Sequence, residues 1–261
     1  RSLRNAIIAE AFGYRDVMAN RRSRRAAKLL SLLGPLREMA GRYVMYLRSE
    51  HGRLLDVGCG NGVFIAGMRR LGWEVAGVDP DPAGVEAARE RDLDVEHATL
   101  EDAHFPDASF DVLTMSHVIE HVPDPEGTLR ECLRVLRPGG QLVIATPNVD
   151  SLGRRRFGSD WLGWSIPYHL LVFASGPLRE AVERSGFLIK RVMTAASIAG
   201  EIRYWSALMR RGEHMPRMTP SLRHGLAPRG IPFWLLEYGL SRFGPFGEEI
   251  FVMATKPNAP A

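Results

Sequence analysis

Thiols are nearly missing from this chain: Cys59 and Cys132 are the only two in 261 residues. A disulfide framework is thereby excluded, and Cys59 lies inside a glycine-rich turn. No uncharged apolar run approaches the roughly 18 residues that span a bilayer, and the N-terminus lacks the apolar core of a signal peptide. Cytoplasm is the expected compartment. There is no internal repeat and no low-complexity tract. What remains is a chain with 45% apolar residues, long enough to bury a full core as one domain carrying insertions or a cap.

The formal net charge of +4 is unevenly spread. Residues 1–50 carry 11 basic and 4 acidic side chains, residues 51–150 carry 8 and 18, and residues 151–261 carry 15 and 8. Basic flanks around an acidic centre mark an anionic partner, or they are solvated surface. The cluster RRSRR (21–25) belongs to the second class, on a solvated face of a helical N-terminal segment.

Residues 53–146 alternate strand-like runs with helical patterns. RLLDV (53–57), WEVAGVD (73–79), a short run at 94–97, SFDVLTM (109–115) and QLVIATP (141–147) read as strands. Between them Phe64, Met68 and Leu71 mark one helix face ending at Gly72, and Leu129, Cys132, Leu133 and Leu136 mark another. Asp81-Pro82 and Asp124-Pro125 supply an N-cap and a first-turn proline for two helices. Strands and helices in this rhythm make βαβ units and a parallel sheet covered on both faces. The rhythm breaks at about 148–174 and again at 197–245. These irregular insertions flank the helix SGPLREAVERSGF and the strand FLIKRVM (187–193), before EEIFVMATKP (248–257).

The stretch LLDVGCGNGVF (54–64) holds Gly58, Gly60 and Gly62. Glycine at alternate positions gives up much backbone freedom on folding, so a tight turn, a positive φ or close ligand approach must require it. A strand, a glycine turn and a helix start together form the ligand-binding end of an open parallel sheet. The dinucleotide fingerprint would put its third glycine at position 63, where Val63 stands, which weakens an NAD reading. Asp79, at the end of the second strand, is placed to accept the two hydroxyls of a ribose, or else is a turn aspartate before Pro80. Turn and carboxylate together indicate an adenosine-type ligand.

These residues resemble the class I S-adenosylmethionine-dependent methyltransferases, particularly small-molecule O-methyltransferases of ubiquinone biosynthesis and of sugar or secondary-metabolite tailoring. LLDVGCGNG resembles their first motif, GVDPDP their second, ATLEDAHFPDASFDVLTMSHVIEHVPDP the region around the fourth strand, and LRECLRVLRPGGQLVIATPN the late motif. The resemblance covers about residues 53–195 and returns at 248–257. It implies a doubly wound, Rossmann-like α/β fold with a seven-stranded, mostly parallel sheet whose last strand is antiparallel. The helical segment 1–50 would precede a methyltransferase domain at 51–261, and the two insertions would form a substrate cap. It also implies S-adenosylmethionine as cofactor, with S-adenosylhomocysteine as product. Asp56 and the turn of Gly58, Cys59, Gly60, Asn61 and Gly62 would hold the methionine moiety and Asp79 with Pro80 the ribose. Leu100 and Glu101 would border adenine, and Ser116 with His117 would lie near the sulfonium. Cys59 is expected to fill a slot between glycines rather than act as a nucleophile.

Methyl transfer needs alignment and exclusion of water, and a hydroxyl acceptor also benefits from a base. His169, in the first insertion, is the leading candidate, followed by His117 and His121. His121 has the alternative of a backbone hydrogen bond before the Val122-Pro123 turn. Glu120 and His121 alone are too few to assign a metal site, so none is expected. Trp161, Trp164, Tyr168, Tyr204, Trp205, Phe233, Trp234 and Tyr238 either wall an acceptor pocket or pack the cap onto the sheet. Arg154, Arg155 and Arg156 bind phosphate or are solvated. The expected acceptor is a small molecule, with phosphorylated, glycan and lipid acceptors all compatible, and the assembly a monomer or homodimer touching a membrane at most peripherally. An RNA methyltransferase and a catalytically silent regulatory protein are the rival readings. A nucleic-acid partner is disfavoured because no RNA-binding module is visible and Ser116-His117-Val118-Ile119 is not an N-P-P-Y-like tetrapeptide.

Overall fold

The computed structural model describes residues 2–14, 24–49, 52–213 and 230–258. Among the described residues, the helices α1 (Ser2–Phe12), α2 (Arg24–Leu30) and α3 (Gly34–Tyr43) precede the alternating core. That core runs β1 (Arg53–Val57), α4 (Val63–Arg70), β2 (Glu74–Asp79), α5 (Pro82–Arg89), β3 (Val95–His97), β4 (Phe110–Ser116), α6 (Pro125–Val135) and β5 (Leu136–Pro147). Then follow α7 (Leu152–Phe157), α8 (Ser175–Arg184), β6 (Leu188–Ala195), α9 (Ala199–Arg210), α10 (Ile231–Leu240) and β7 (Glu249–Thr255). The seven strands lie in the order β3-β2-β1-β4-β5-β7-β6. β1 to β5 pair in parallel, while β7 runs antiparallel to both β5 and β6. The expected fold is therefore the one observed.

Side chains alternate across this sheet as a strand period of two demands. Leu54, Val112, Val143 and Phe251 enter one core layer, and Leu55, Leu113, Leu142 and Val252 the other. The N-terminal helices are built into the first layer through Ile7, Ile8, Phe12, Ala40 and Val44. Trp73 Nε1 donates to the Tyr14 hydroxyl at 3.1 Å, tying them to the sheet. Of the cluster 21–25, residues 21–23 lie outside the described residues, and Arg25 is exposed.

Both aspartate caps form. Asp81 accepts from the backbone N–H groups of Ala83 and Gly84, and Asp124 from that of Gly127. Two helix faces differ from expectation. In α4 the buried side chains are Ile65 and Met68, with Phe64 only partly covered, and Leu71 is buried just beyond the helix end. In α6 they are Thr128, Leu129, Cys132 and Val135, and Leu136 already belongs to β5. The second insertion, expected to be irregular, holds α9 and α10. Trp161 and Trp234 are buried in two small cores beside the sheet, and Trp205 is buried as well, so packing is the role the structure gives these three.

Candidate active site

The carboxyl ends of β1, β2 and β4 converge on the glycine turn, whose three glycines serve different ends. All have positive φ, at 70°, 50° and 71°. A Cβ on Gly58 would meet Val118 Cγ2 at 2.3 Å, and one on Gly62 would meet Leu93 Cδ1 at 2.4 Å and Ala88 Cβ at 3.0 Å. These two are packing glycines. A Cβ on Gly60 would meet nothing within 4 Å. Its open side is where a ligand can approach the chain. Gly60→Ala is therefore expected to weaken S-adenosylhomocysteine binding at least tenfold in calorimetry, with a stability loss of only about 1–2 kcal/mol for the left-handed alanine. Gly62→Ala is expected to lower the melting temperature more than Gly60→Ala does.

Asp79, nearly buried, organises the same turn. Its Oδ2 accepts from Gly60 N at 2.7 Å and its Oδ1 from Asp81 N at 2.8 Å. Each oxygen keeps a further acceptor site, as a ribose diol requires. Asp79→Ala is expected to weaken S-adenosylhomocysteine binding by about 1–3 kcal/mol, the value of charge-assisted hydrogen bonds; unchanged affinity would remove Asp79 from the site. Beside it a cavity of about 620 Å³ is lined by Gly58, Val78, Pro80, Leu100, Glu101 and Val118. His97 Nε2 lies 3.0 Å from the Pro80 carbonyl, and Glu101 accepts from Thr128 Oγ1 at 2.6 Å, so both rims are held. The open glycine, the acid and the cavity fit an adenosine cofactor in size and chemistry.

Asp56 lies under this cleft, fully enclosed, with Thr114 Oγ1 donating to it at 2.7 Å. Burial pushes its carboxyl up to about 7. Asn61 faces the first turn of α4, where its Oδ1 accepts weakly from Val63 N at 3.4 Å. The Cys59 side chain packs on the sheet: its Sγ lies over Gly77, where a Cβ would meet it at 2.6 Å. Its side chain faces the sheet, and burial pushes the thiol up to about 12. The expectation of an inert slot-filler agrees with this geometry.

Ser116 is exposed at the end of β4, and the next residue turns sharply, with His117 at φ 55°. His117 is not the free base expected for catalysis. Its Nε2 lies 2.9 Å from Glu249 Oε1 and its Nδ1 3.3 Å from Glu120 Oε1. Burial opposes the charge, but the two carboxylates overcome it and raise the imidazole to about 9. Glu249 also accepts from Arg42 of α3 at 2.9 Å and from Ser197 at 3.1 Å. Against the effect of burial, Arg42 and His117 hold Glu249 at about 2. The result is a chain of charges, Arg42, Glu249, His117 and Glu120, in which both carboxylates are buried and both cations partly exposed, running from the N-terminal helices to the end of β4. Sequence reasoning missed Arg42 and Glu249. Its available signal was two glutamates, Glu248 and Glu249, opening an otherwise apolar strand.

The first insertion is hydrogen-bonded onto Glu120, whose carbonyl accepts from Leu170 N and Leu171 N. This brings His169 beside His121, ring centroids 4.7 Å apart. His169 Nδ1 lies 2.8 Å from the Gly163 carbonyl, and His121 Nδ1 2.8 Å from the Tyr168 carbonyl. A carbonyl only accepts, so each Nδ1 carries a proton, and the neutral form of His169 keeps its lone pair on Nε2. Burial lowers the pKa of His169. One ligand atom each from Glu120, His121 and His169 lies within 4.8 Å of the others, a donor set that can also hold a divalent cation.

A family model described as a methyltransferase domain matches residues 18–192. The chain belongs to the class I S-adenosylmethionine-dependent methyltransferases. This methyltransferase is 39% identical over 106 residues to a ubiquinone biosynthesis O-methyltransferase of Alkalilimnicola ehrlichii, covering 38% of this chain and 43% of that protein. It is 34% identical over 163 residues to a probable S-adenosylmethionine-dependent methyltransferase of Mycolicibacterium smegmatis, covering 60% and 62%. Thus the match spans less than half the length of the ubiquinone-type relative. A solved Thermotoga maritima methyltransferase, described as a possible histamine N-methyltransferase, shares the fold at TM-score 0.57 and 23% identity, covering 94% of this chain and 99% of that one. The cofactor of the family is S-adenosylmethionine, and the glycine turn, Asp79 and the adjoining cavity are the residues that would hold it.

Proposed function

We propose that this methyltransferase moves a methyl group from S-adenosylmethionine to a hydroxyl oxygen of a small-molecule acceptor, with His169 as general base. The observation that carries the reading is the neutral His169 ring, its Nδ1 proton fixed on the Gly163 carbonyl and its Nε2 lone pair free. When bound, the cofactor supplies a methyl group on a sulfonium already activated for displacement. The chain's own task is to orient the acceptor, exclude water and take one proton. His169 Nε2 takes it from the hydroxyl, while the Gly163 carbonyl stabilises the Nδ1–H of the imidazolium and the ionised Glu120 favours the positive charge. The reading agrees with the O-methyltransferase among the relatives. Calorimetric titration with S-adenosylhomocysteine, with NAD in parallel, tests the cofactor. Mass-spectrometric screening of sugars, phenols and lipids for a gain of one methyl tests the acceptor. Binding of NAD alone, or a silent screen despite cofactor binding, would turn the assignment to a regulatory role.

The cluster of Glu120, His121 and His169 gives a second reading, in which a divalent cation sits on these groups and polarises the acceptor hydroxyl. Turnover surviving dialysis against a chelator is the expected outcome for a base. Loss of activity, restored by one cation, would favour the metal.

A further inference from the structure

Helix α10 is apolar around its circumference, and its one charged side chain is turned inward. Its charged residue, Glu237, is buried and accepts from Glu248 N at 2.8 Å, and burial keeps that carboxyl protonated by pushing its pKa up. Trp234 is buried beside it. The face turned to solvent carries Ile231, Pro232, Leu235 and Leu236, spaced i, i+1, i+4 and i+5, and the last two are 48% and 55% exposed. A helix that buries its glutamate and shows its leucines has not matched its surface to water.

The apolar face adjoins a groove of about 670 Å³ between α7, α9 and α10. Leu152, Pro232, Phe233 and Leu236 form its apolar wall, and Arg155, Arg156 and Arg203 line it, with no acidic side chain among the described lining residues. The guanidinium carbons of Arg155 and Arg203 sit 4.8 and 6.0 Å from the ring centres of Phe246 and Phe233, which orders them along the groove. At the other side of α10, Gly34 packs directly on the Tyr238 hydroxyl, bringing the exposed Leu32 and Leu33 to the same helix.

We propose that this face of the cap docks on a bilayer containing anionic phospholipid: Leu235 and Leu236 enter the headgroup boundary and the three arginines meet lipid phosphates. Charge decides the occupant. A second copy of the chain seated here by two-fold symmetry would bring the arginine groups of both copies to one interface, which like-charge repulsion opposes. An anionic surface satisfies arginine and leucine together. The docking is independent of the methyl-transfer reading.

The test is flotation of the full chain with vesicles of phosphatidylcholine alone and of phosphatidylcholine and phosphatidylglycerol in equal parts. Binding is expected to the anionic vesicles only, and to be released by raised salt. The double variant Arg155→Glu/Arg156→Glu is expected to reduce it at least about tenfold, and Leu236→Asp to reduce it as well. S-adenosylhomocysteine affinity, measured on the same preparations, should stay at the wild-type value and so report an intact fold. Absence of vesicle binding, equal binding to neutral vesicles, or binding that survives the charge reversal overturns the proposal. So does a dimer that Leu236→Asp dissociates, or an RNA oligonucleotide captured by the arginines in place of vesicles.

Discussion

His169→Ala is expected to lower turnover by about 10²-fold or more, the usual contribution of a positioned base, while leaving S-adenosylhomocysteine affinity unchanged. The cofactor is held by the glycine turn and Asp79, whereas His169 belongs to the insertion hydrogen-bonded onto Glu120. The variant also loses the hydrogen bond to the Gly163 carbonyl, with a stability loss of about 0.5–1.5 kcal/mol. Those two effects separate the roles. A stability loss of that size with full turnover would make His169 a pin for the insertion and nothing more. The pH profile gives a second readout. Because burial lowers the pKa of His169 below its ordinary 6.5, kcat/KM should rise with pH and reach half its plateau below 6.5. In His169→Ala that acid limb should vanish. His121→Ala should show a smaller loss, since its ring is exposed and anchored to a different carbonyl.

The parts of this protein visible in its sequence are those encoded locally. The glycine turn, both Asp-Pro helix starts and the alternating strands each rest on a handful of consecutive residues, and each forms where expected. The helices of the second insertion escaped notice because IPFWLLEYGL is apolar on every face and so carries no 3.6-residue signal. The charge chain was invisible for a different reason. Arg42 and Glu249 are 207 residues apart, and only the antiparallel insertion of β7 between β5 and β6 brings them together beside His117. A histidine with a neutral pKa and one clamped between two carboxylates look alike in sequence. His169 could be ranked first from the insertion's character, but its tautomer rests on the Gly163 carbonyl, which depends on how the segment turns.

His117→Ala is expected to destabilise the protein by about 1–3 kcal/mol, because it takes a charged partner from two buried carboxylates while solvent at the half-exposed imidazole screens part of the loss. Glu120 and Glu249 are both fully enclosed, and Glu249 would keep Arg42 while Glu120 would keep only the Thr146 hydroxyl. Part of any change comes from the backbone, since His117 holds a positive φ. His117→Gly relieves that conformation and should still lose most of the stability, which assigns the effect to charge. The sign of the pH dependence follows from the raised pKa. Folding stabilises the imidazolium, so the His117 contribution is complete below 6.5 and disappears as pH rises through about 9. The depressed pKa of Glu249 acts at the other end: its contribution is complete above 4.5 and disappears as pH falls toward about 2. The gap in melting temperature between wild type and His117→Gly should therefore be widest between pH 4.5 and 6.5 and narrow steadily from 6.5 to 9. Buried Glu38 and Asp56, both raised to about 7, tilt the two profiles alike and cancel in the difference. A gap that stays constant from pH 5 to 9 would mean that His117 is neutral in the folded protein and that the charge chain ends at Glu249.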